Sequence, residues 1–169
     1  PEQVARALTA NLHAPIAMAR TPALSMVERG KGHIVMIGSV SGKIASTDTS
    51  LYNATKFGLR GFALGFRQDA ARHGVGVSIV EPSFVREAGM FADSETNLPP
   101  GVRTVTPDAV ADGVVKAVRR DRAEVVVAPL ELRAGAALAA SLPEFAAAVQ
   151  KRSGGAKVSA GVAKGQRDK

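Results

Sequence analysis

Three short apolar segments alternate with helix-like segments along this chain of 169 residues. The apolar segments span residues 33–37, 75–80 and 123–128, and the segments around them place apolar residues at helical spacing. Strands that alternate with helices form a parallel sheet, because the chain crosses back through a helix before the next strand begins. The sequence therefore predicts an α/β fold with a doubly wound parallel sheet.

The helical segments carry proline and valine patterns that predict their shape and orientation. The predicted helices are residues 2–28, 50–73, 106–120 and 130–151, the last with a break near Pro143. Pro15 and Pro22 lie in the first helix and predict a kink or a break, because proline removes a backbone hydrogen bond. In the third helix, the residues predicted to face the sheet are Val110, Val114, Val115 and Val118.

The composition excludes several kinds of protein and site. The chain has no cysteine, which excludes a disulfide framework and a thiolate metal site, and we predict no metal site. No apolar run approaches the roughly 20 residues that a membrane span needs, so the cytoplasm is the predicted location. The chain begins at Pro1 rather than Met, which suggests that the natural N-terminus lies upstream.

The positive charge is concentrated near one end of the chain. Residues 151–169 contain six Lys or Arg residues and one acid, Asp168, and so carry +5 of the formal net charge of +7. Their Gly, Ala, Ser and Lys content predicts a disordered basic tail that follows a domain region at 1–150. A nucleic-acid contact is the alternative, but stacking on bases needs aromatic residues, and the chain has one Tyr and no Trp. We therefore predict no nucleic-acid partner.

A serine, a tyrosine and a lysine follow the first apolar segment at informative spacing. Ser39 lies at the end of the predicted strand, Tyr52 follows 13 residues later, and Lys56 follows Tyr52 by four. Residues four apart share one face of a helix, so Tyr52 and Lys56 are predicted to lie side by side. Open α/β sheets bind ligands at the carboxyl ends of their strands, where this stretch begins. Taken alone, Tyr-x-x-x-Lys is also consistent with an ordinary surface pair.

These residue types suit proton transfer at an oxygen atom. A free tyrosine phenol has a pKa of about 10, and a neighbouring Lys ammonium is predicted to lower that pKa by favouring the phenolate. Such a tyrosine can exchange a proton with a substrate oxygen that a serine hydroxyl holds, which suits alcohol–carbonyl interconversion with hydride from a cofactor. Ser39 and the nearby Ser41 are both candidates for that hydroxyl, whereas His33, at the start of the strand, is predicted to be structural.

The order and spacing of four residues resemble a known family. Asn11 precedes Ser39 by 28 residues, and Tyr52-x-x-x-Lys56 follows. This arrangement is similar to the catalytic tetrad of the short-chain dehydrogenase/reductase family, and the resemblance spans roughly residues 1–130. It implies a Rossmann-like sheet of which this chain holds the last three strands, and an oxidoreductase that uses NAD or NADP.

The resemblance also implies roles for individual residues. Tyr52 is the implied acid/base, and Lys56 lowers its pKa and holds the nicotinamide ribose. Ser39 orients the substrate oxygen, and Asn11 supports a proton relay from a distorted helix turn. The residues implied to bind the cofactor are Tyr52, Lys56, Pro82, Ser83, Val85 and Glu87. Ser83 and Glu87 stand where the family usually has Gly and Thr.

The phosphate-binding turn of the family is not found in this sequence. Neither Thr-Gly-x-x-x-Gly-x-Gly nor Gly-x-Gly-x-x-Gly occurs after a first strand. The resemblance therefore implies that the dinucleotide-binding half lies before Pro1 and that this fragment alone is inactive. The choice between NAD and NADP, and the identity of the substrate, cannot be read from the residues present.

Two further segments have implied roles in assembly and substrate binding. In the family, the helix predicted at 50–73 packs against a second subunit, which implies a homodimer or homotetramer. The segment 88–106, with Met90, Phe91 and Leu98, is an implied apolar lid over a small alcohol or carbonyl substrate. A non-catalytic, truncated relative that acts as a binding or oligomerisation module is the alternative function.

Overall fold

A three-stranded parallel sheet forms the centre of the computed structural model, which describes residues 1–94, 98, 102–142 and 144. Its strands are β1 (Gly32–Ile37), β2 (Val75–Pro82) and β3 (Glu124–Val127), in the spatial order β1-β2-β3. β2 is therefore the central strand, and the carboxyl ends of β1 and β2 meet at one edge of the sheet. The predicted α/β class and parallel topology are confirmed.

The helices lie close to their predicted positions. They are α1 (Glu2–Leu8), α2 (Ala14–Glu28), α3 (Ser50–Ala71), α4 (Pro107–Arg119) and α5 (Leu130–Ser141). A π-helical turn at Thr9–His13 joins α1 to α2 without a break. Pro15 lies in the first turn of α2 and Pro22 inside it, so the helix is not broken at either proline. The predicted break near Pro143 and the basic tail lie outside the described residues.

The helices cover both faces of the sheet. On one face, α2 and α3 pack against β1 and β2 around Met36, Leu59 and Ile79. On the other face, α4 packs against β2 and β3 around Val80 and Val125. A doubly wound arrangement is the expected result of parallel strands joined by crossover helices.

The inward face of α4 differs from the predicted one. Val115 and Val118 are 48% and 43% exposed, whereas Gly113 and Ala117 are buried. A Cβ atom at Gly113 would lie 2.6 Å from a methyl carbon of Val127, so α4 approaches the sheet too closely for a larger residue there. The prediction that Val115 and Val118 face the sheet is therefore wrong, because small residues line the contact.

Two glycines allow a sharp prediction about stability. Gly74, after α3, has φ +71°, and a Cβ there would lie 2.5 Å from the backbone oxygen of Gly30. Gly30 also has a positive φ, +64°, but its Cβ position is open. We expect Gly30→Ala to lower the free energy of unfolding by about 1–2 kcal/mol, the cost of a left-handed dihedral, and Gly74→Ala to lower it further because of the added clash. Chemical denaturation of both variants measures this, and equal losses would contradict the predicted clash.

Candidate active site

The candidate site lies where β1 and β2 end. The Gly38 N–H donates to the Val80 carbonyl at 2.7 Å, which keeps the two chain segments together one residue beyond β1. Ser39 follows on the β1 side, and Ser83 follows on the β2 side. The structure therefore brings the predicted serine and the predicted cofactor segment to the same edge of the sheet.

Tyr52 and Lys56 lie side by side in the first turns of α3. The Lys56 Nζ is 5.5 Å from the centroid of the Tyr52 ring, so the predicted common face of the helix is present. Both side chains are only partly exposed. The structure therefore places the phenol and the ammonium next to each other on α3.

The pKa of Tyr52 is shifted in the opposite direction from the predicted one. Burial raises the pKa of the Tyr52 phenol above its usual value, and an interaction with the Ser39 hydroxyl only partly opposes this. Burial also lowers the pKa of Lys56. Desolvation disfavours the charged form of each group, so burial favours the neutral phenol over the phenolate.

Ser39 is held by the loop that it begins. Its backbone is extended, and its Oγ accepts a hydrogen bond from the Ser41 N–H at 3.1 Å as the cap of a short 3₁₀ turn at Val40–Gly42. This bond anchors the Ser39 Oγ to the backbone of its own loop. The interaction with Tyr52 distinguishes Ser39 from Ser41, which contributes its backbone to the same turn.

Asn11 lies in the middle of the π turn at Thr9–His13. Its side-chain amide donates to the Ala7 carbonyl at 3.2 Å. The turn packs against α3. At Gly58, which lies two residues after Lys56, an added Cβ would be 3.3 Å from the Leu12 side chain. The distorted turn implied for Asn11 is thus present beside the helix of Tyr52 and Lys56, and π turns frequently mark functional sites.

The implied cofactor segment continues from β2 in an irregular conformation. Pro82 is buried at the end of the strand, and the Ser83 N–H donates to the Val127 carbonyl at 3.0 Å. Val85 forms a parallel bridge with Val105. Among the described residues, the buried Oγ of Ser83 has no hydrogen-bond partner, so this hydroxyl is available to a ligand.

Glu87 differs from the other implied cofactor residues. It has a positive φ of 74°, and its exposed carboxylate accepts a hydrogen bond from Arg86 Nε at 2.8 Å. The left-handed backbone is unusual for a non-glycine residue. The carboxylate is therefore engaged with its neighbour in the chain.

His33 lies near the amino end of β1, whereas the site lies at the carboxyl ends of the strands. Its Nε2 is 2.7 Å from Ser78 Oγ, which itself donates to the Arg122 carbonyl at 2.6 Å, so the ring nitrogen is the donor to Ser78. Burial lowers the pKa of His33. His33 therefore contacts Ser78 near the amino ends of the strands and lies away from Tyr52.

The implied lid is described only in part. Phe91, which immediately precedes a short 3₁₀ turn at Ala92–Ser94, packs against Phe84 with ring centroids 5.2 Å apart. Met90 and Leu98 are partly buried. These apolar residues follow the cofactor segment directly.

A group of four charged residues near the site was not predicted. Lys43 and Arg60 both bind Glu124, and both lie near the fully buried Glu81. The available signal was a charged residue at the end of one apolar strand, Glu81, and another at the start of the next, Glu124.

Comparison with known proteins identifies the family. The model of a family described as short chain dehydrogenase matches residues 1–99, more than half of the 169 residues. The chain belongs to the short-chain dehydrogenase family. The resemblance inferred from the four spaced residues is therefore confirmed.

Individual short-chain dehydrogenases show how much of the family this chain represents. The ketoacyl reductase HetN of Nostoc sp. is 38% identical over 117 residues, which cover 69% of this chain and 41% of the relative. Carbonyl reductase family member 4 of Xenopus tropicalis is 32% identical over 117 residues, covering 68% and 50%. The chain thus spans about 40–50% of the length of these curated relatives.

A solved short-chain dehydrogenase has the same fold. The enzyme from Sphingobium yanoikuyae, solved in complex with NADPH, superimposes with a TM-score of 0.68 and 28% identity over 77% of this chain and 50% of that one.

Across the described residues of the present chain, none of the helices combines the length and apolar character needed to cross a membrane.

Proposed function

We propose that the full-length protein is an NAD- or NADP-dependent oxidoreductase that interconverts an alcohol and a carbonyl. The observation that carries the proposal is the meeting of Ser39, Tyr52 and Lys56 at the carboxyl edge of β1. Membership of the short-chain dehydrogenase family supports it, as do relatives named ketoacyl reductase and carbonyl reductase. The bound NADPH of the Sphingobium enzyme supports a nicotinamide cofactor.

The side chains have complementary roles in carbonyl reduction. A bound nicotinamide cofactor would supply the hydride that the carbonyl carbon receives. Tyr52, whose raised pKa keeps it protonated, donates a proton to the carbonyl oxygen, and the Ser39 hydroxyl holds that oxygen. The Lys56 ammonium offsets the negative charge left on the phenolate and holds the cofactor ribose, while the π turn at Asn11 supports reprotonation.

The cofactor segment fits the amide end of a nicotinamide. Ser83 places a buried hydroxyl without a partner, within the described part of the chain, at the end of β2. An amide group can both donate to and accept from a hydroxyl, so it would satisfy this atom. Pro82 and Val85 would supply backbone to the same contact, and Glu87 would contribute through its backbone while its carboxylate binds Arg86.

A test of this function compares two neighbouring serines. The full-length protein is assayed with NADH and NADPH against a panel of ketones and 3-oxoacyl thioesters, by the loss of absorbance of the reduced cofactor. We expect Ser39→Ala to lower kcat about 10²-fold, because it removes the hydrogen bond to the reacting oxygen. Ser41→Ala is the matched control and should keep most of its activity. Equal losses in the two variants would contradict the role of Ser39.

A non-catalytic role is the second candidate, and Glu87 is the observation that favours it. Glu87 has a carboxylate where the family usually has a threonine hydroxyl that can donate beside the cofactor. This carboxylate accepts a hydrogen bond from Arg86, and the backbone of Glu87 has a positive φ. A full-length protein that binds neither NADH nor NADPH in a fluorescence titration would favour this binding or oligomerisation module.

A homodimer or homotetramer belongs to the same proposal. The outer side of α3 exposes Phe57, at 43%, together with small residues, Gly58, Gly61 and Gly65. Small residues allow a helix from another subunit to approach closely. A cytoplasmic location stays a prediction.

A further inference from the structure

Glu81 occupies a position in which a carboxylate is costly. Its side chain is fully buried at the end of β2, and neither of its carboxylate oxygens has a hydrogen-bond partner in the described parts of the chain. Buried charged groups are normally paired and hydrogen-bonded, because burial removes their hydration. Stability alone therefore does not account for a glutamate here.

Glu81 lies beneath the loop that carries Ser39. A Cβ at Gly38 would lie 3.4 Å from Cγ of Glu81, and a Cβ at Gly42 would lie 3.4 Å from its Oε1. The same Gly42 position is 2.8 Å from the backbone oxygen of Lys56. The loop is thus packed between the Glu81 side chain and the helix turn of Lys56, with no room for a larger residue.

Two cations link Glu81 to the elements that hold the site. The Nζ of Lys43, at the end of the Ser39 loop, is 3.5 Å from Oε2 of Glu81. The Nε of Arg60, one helical turn beyond Lys56, is 3.7 Å from Oε1. One carboxylate therefore attracts a cation from the loop and a cation from α3.

Glu124 already satisfies both cations by hydrogen bonds. It accepts from Lys43 Nζ at 2.6 Å and from Arg60 Nε at 2.5 Å. Loss of the Glu81 charge would therefore leave each cation with a partner. Neutralising the cations does not explain Glu81, and buried ion pairs in general contribute little net stability.

We propose that Glu81 is a positioning residue that fixes the Ser39 hydroxyl opposite the Tyr52 phenol. It does so from beneath the loop, where its side chain packs against Gly38 and Gly42 and draws Lys43 and Arg60 toward the end of β2. The effect on turnover rests on the proposed function, whereas the spacing of Ser39 and Tyr52 can be measured without turnover.

The test measures Tyr52 directly in full-length protein labelled with [¹³Cζ]tyrosine. Its NMR resonance is recorded at about pH 8, where Glu81 is mostly ionised, and is assigned with Tyr52→Phe. Ser39→Ala defines the resonance position without the serine. We expect Glu81→Gln to move the resonance toward the Ser39→Ala position. Asp121→Asn is the matched control and should leave the resonance in place. The Asp121 carboxylate pairs with Arg67 and His33 near the amino ends of the strands, far from Tyr52.

Turnover provides a second, independent readout. We expect Glu81→Gln to lower kcat about 10-fold, as small misplacements of reacting groups do, with an unchanged dissociation constant for the cofactor. In the Ser39→Ala background, Glu81→Gln should have no further effect, because it acts through Ser39. A merely structural role would give the same loss in both backgrounds.

The outcomes separate this inference from the proposed function. An unmoved Tyr52 resonance in Glu81→Gln overturns the positioning role, and so does an equal loss of kcat in both backgrounds. If Glu81→Gln does not fold, Lys43→Gln takes its place with the same expected results. If the parent protein turns over no carbonyl with either cofactor, the proposed function fails, and the resonance still decides the role of Glu81.

Discussion

Tyr52→Phe in the full-length protein is expected to lower turnover by about 10²–10⁴-fold, the usual contribution of a positioned acid or base. The substitution removes one oxygen atom, and with it the proton that the carbonyl oxygen would receive. The ring remains, so its packing beside Lys56, 5.5 Å from the ring centroid to Nζ, is retained. Steady-state kinetics with the better of the two reduced cofactors measures the loss.

Cofactor binding is the control for the Tyr52 substitution. Since the phenol acts on the substrate oxygen, the dissociation constant for the cofactor should change less than about threefold, well below the loss of turnover. Lys56→Met should weaken cofactor binding, because the ammonium is the group proposed to hold the ribose. Unchanged turnover in Tyr52→Phe would refute the proposed acid.

The stability of the parent protein relative to Glu81→Gln is expected to fall by about 3 kcal/mol between about pH 5 and pH 8. Burial, and then the Glu124 carboxylate, raise the pKa of Glu81 to about 7 from the ordinary 4.5, against the opposing effect of Lys43 and Arg60. Between these values the folded state binds more protons than the unfolded state. Stability therefore declines as the pH rises through that window and becomes level above it.

Denaturant unfolding of both proteins across this pH range measures the difference. Glutamine does not titrate, so other groups, such as His33 with its lowered pKa, cancel between the two proteins. Asp121→Asn is the control, because Arg67 lowers the pKa of Asp121 below its ordinary 3.8 and its contribution is constant in this window. A constant difference between the parent and Glu81→Gln from pH 5 to pH 8 would show that Glu81 titrates normally.

Most of the fold follows from local pattern, and the exceptions have physical causes. Segment 75–80 is almost continuously apolar because a central parallel strand is covered on both faces, so it was predictable. The inward face of α4 was not, because Gly113 and Ala117 face the sheet for reasons of distance rather than hydrophobicity. The type of element was predicted correctly in both cases, a strand and a helix, since it depends on the pattern along one segment.

The candidate site was predictable in its residues and less so in its electrostatics. The spacing of Tyr52 and Lys56 correctly placed them on one face of α3. The direction of the Tyr52 pKa shift was wrong, because burial by the surrounding structure outweighs the influence of one neighbour. Glu81 and Glu124 were not recognised as a pair, since 43 residues separate them and a charge at a strand end is ordinary by itself.

Every strand pairing in the described sheet joins distant parts of the chain. Gly32 pairs with Val75, and Ile79 pairs with Glu124, so more than 40 residues must be brought together before either contact forms. Sheets with such non-local contacts fold slowly, because the entropy of loop closure is lost before pairing compensates for it. Ser39 and Tyr52 are close in sequence, but the β2 strand that supports their loop joins only after its crossover helix has docked. We therefore expect the site to be assembled late on the folding pathway, with the apolar strands open to intermolecular pairing until then.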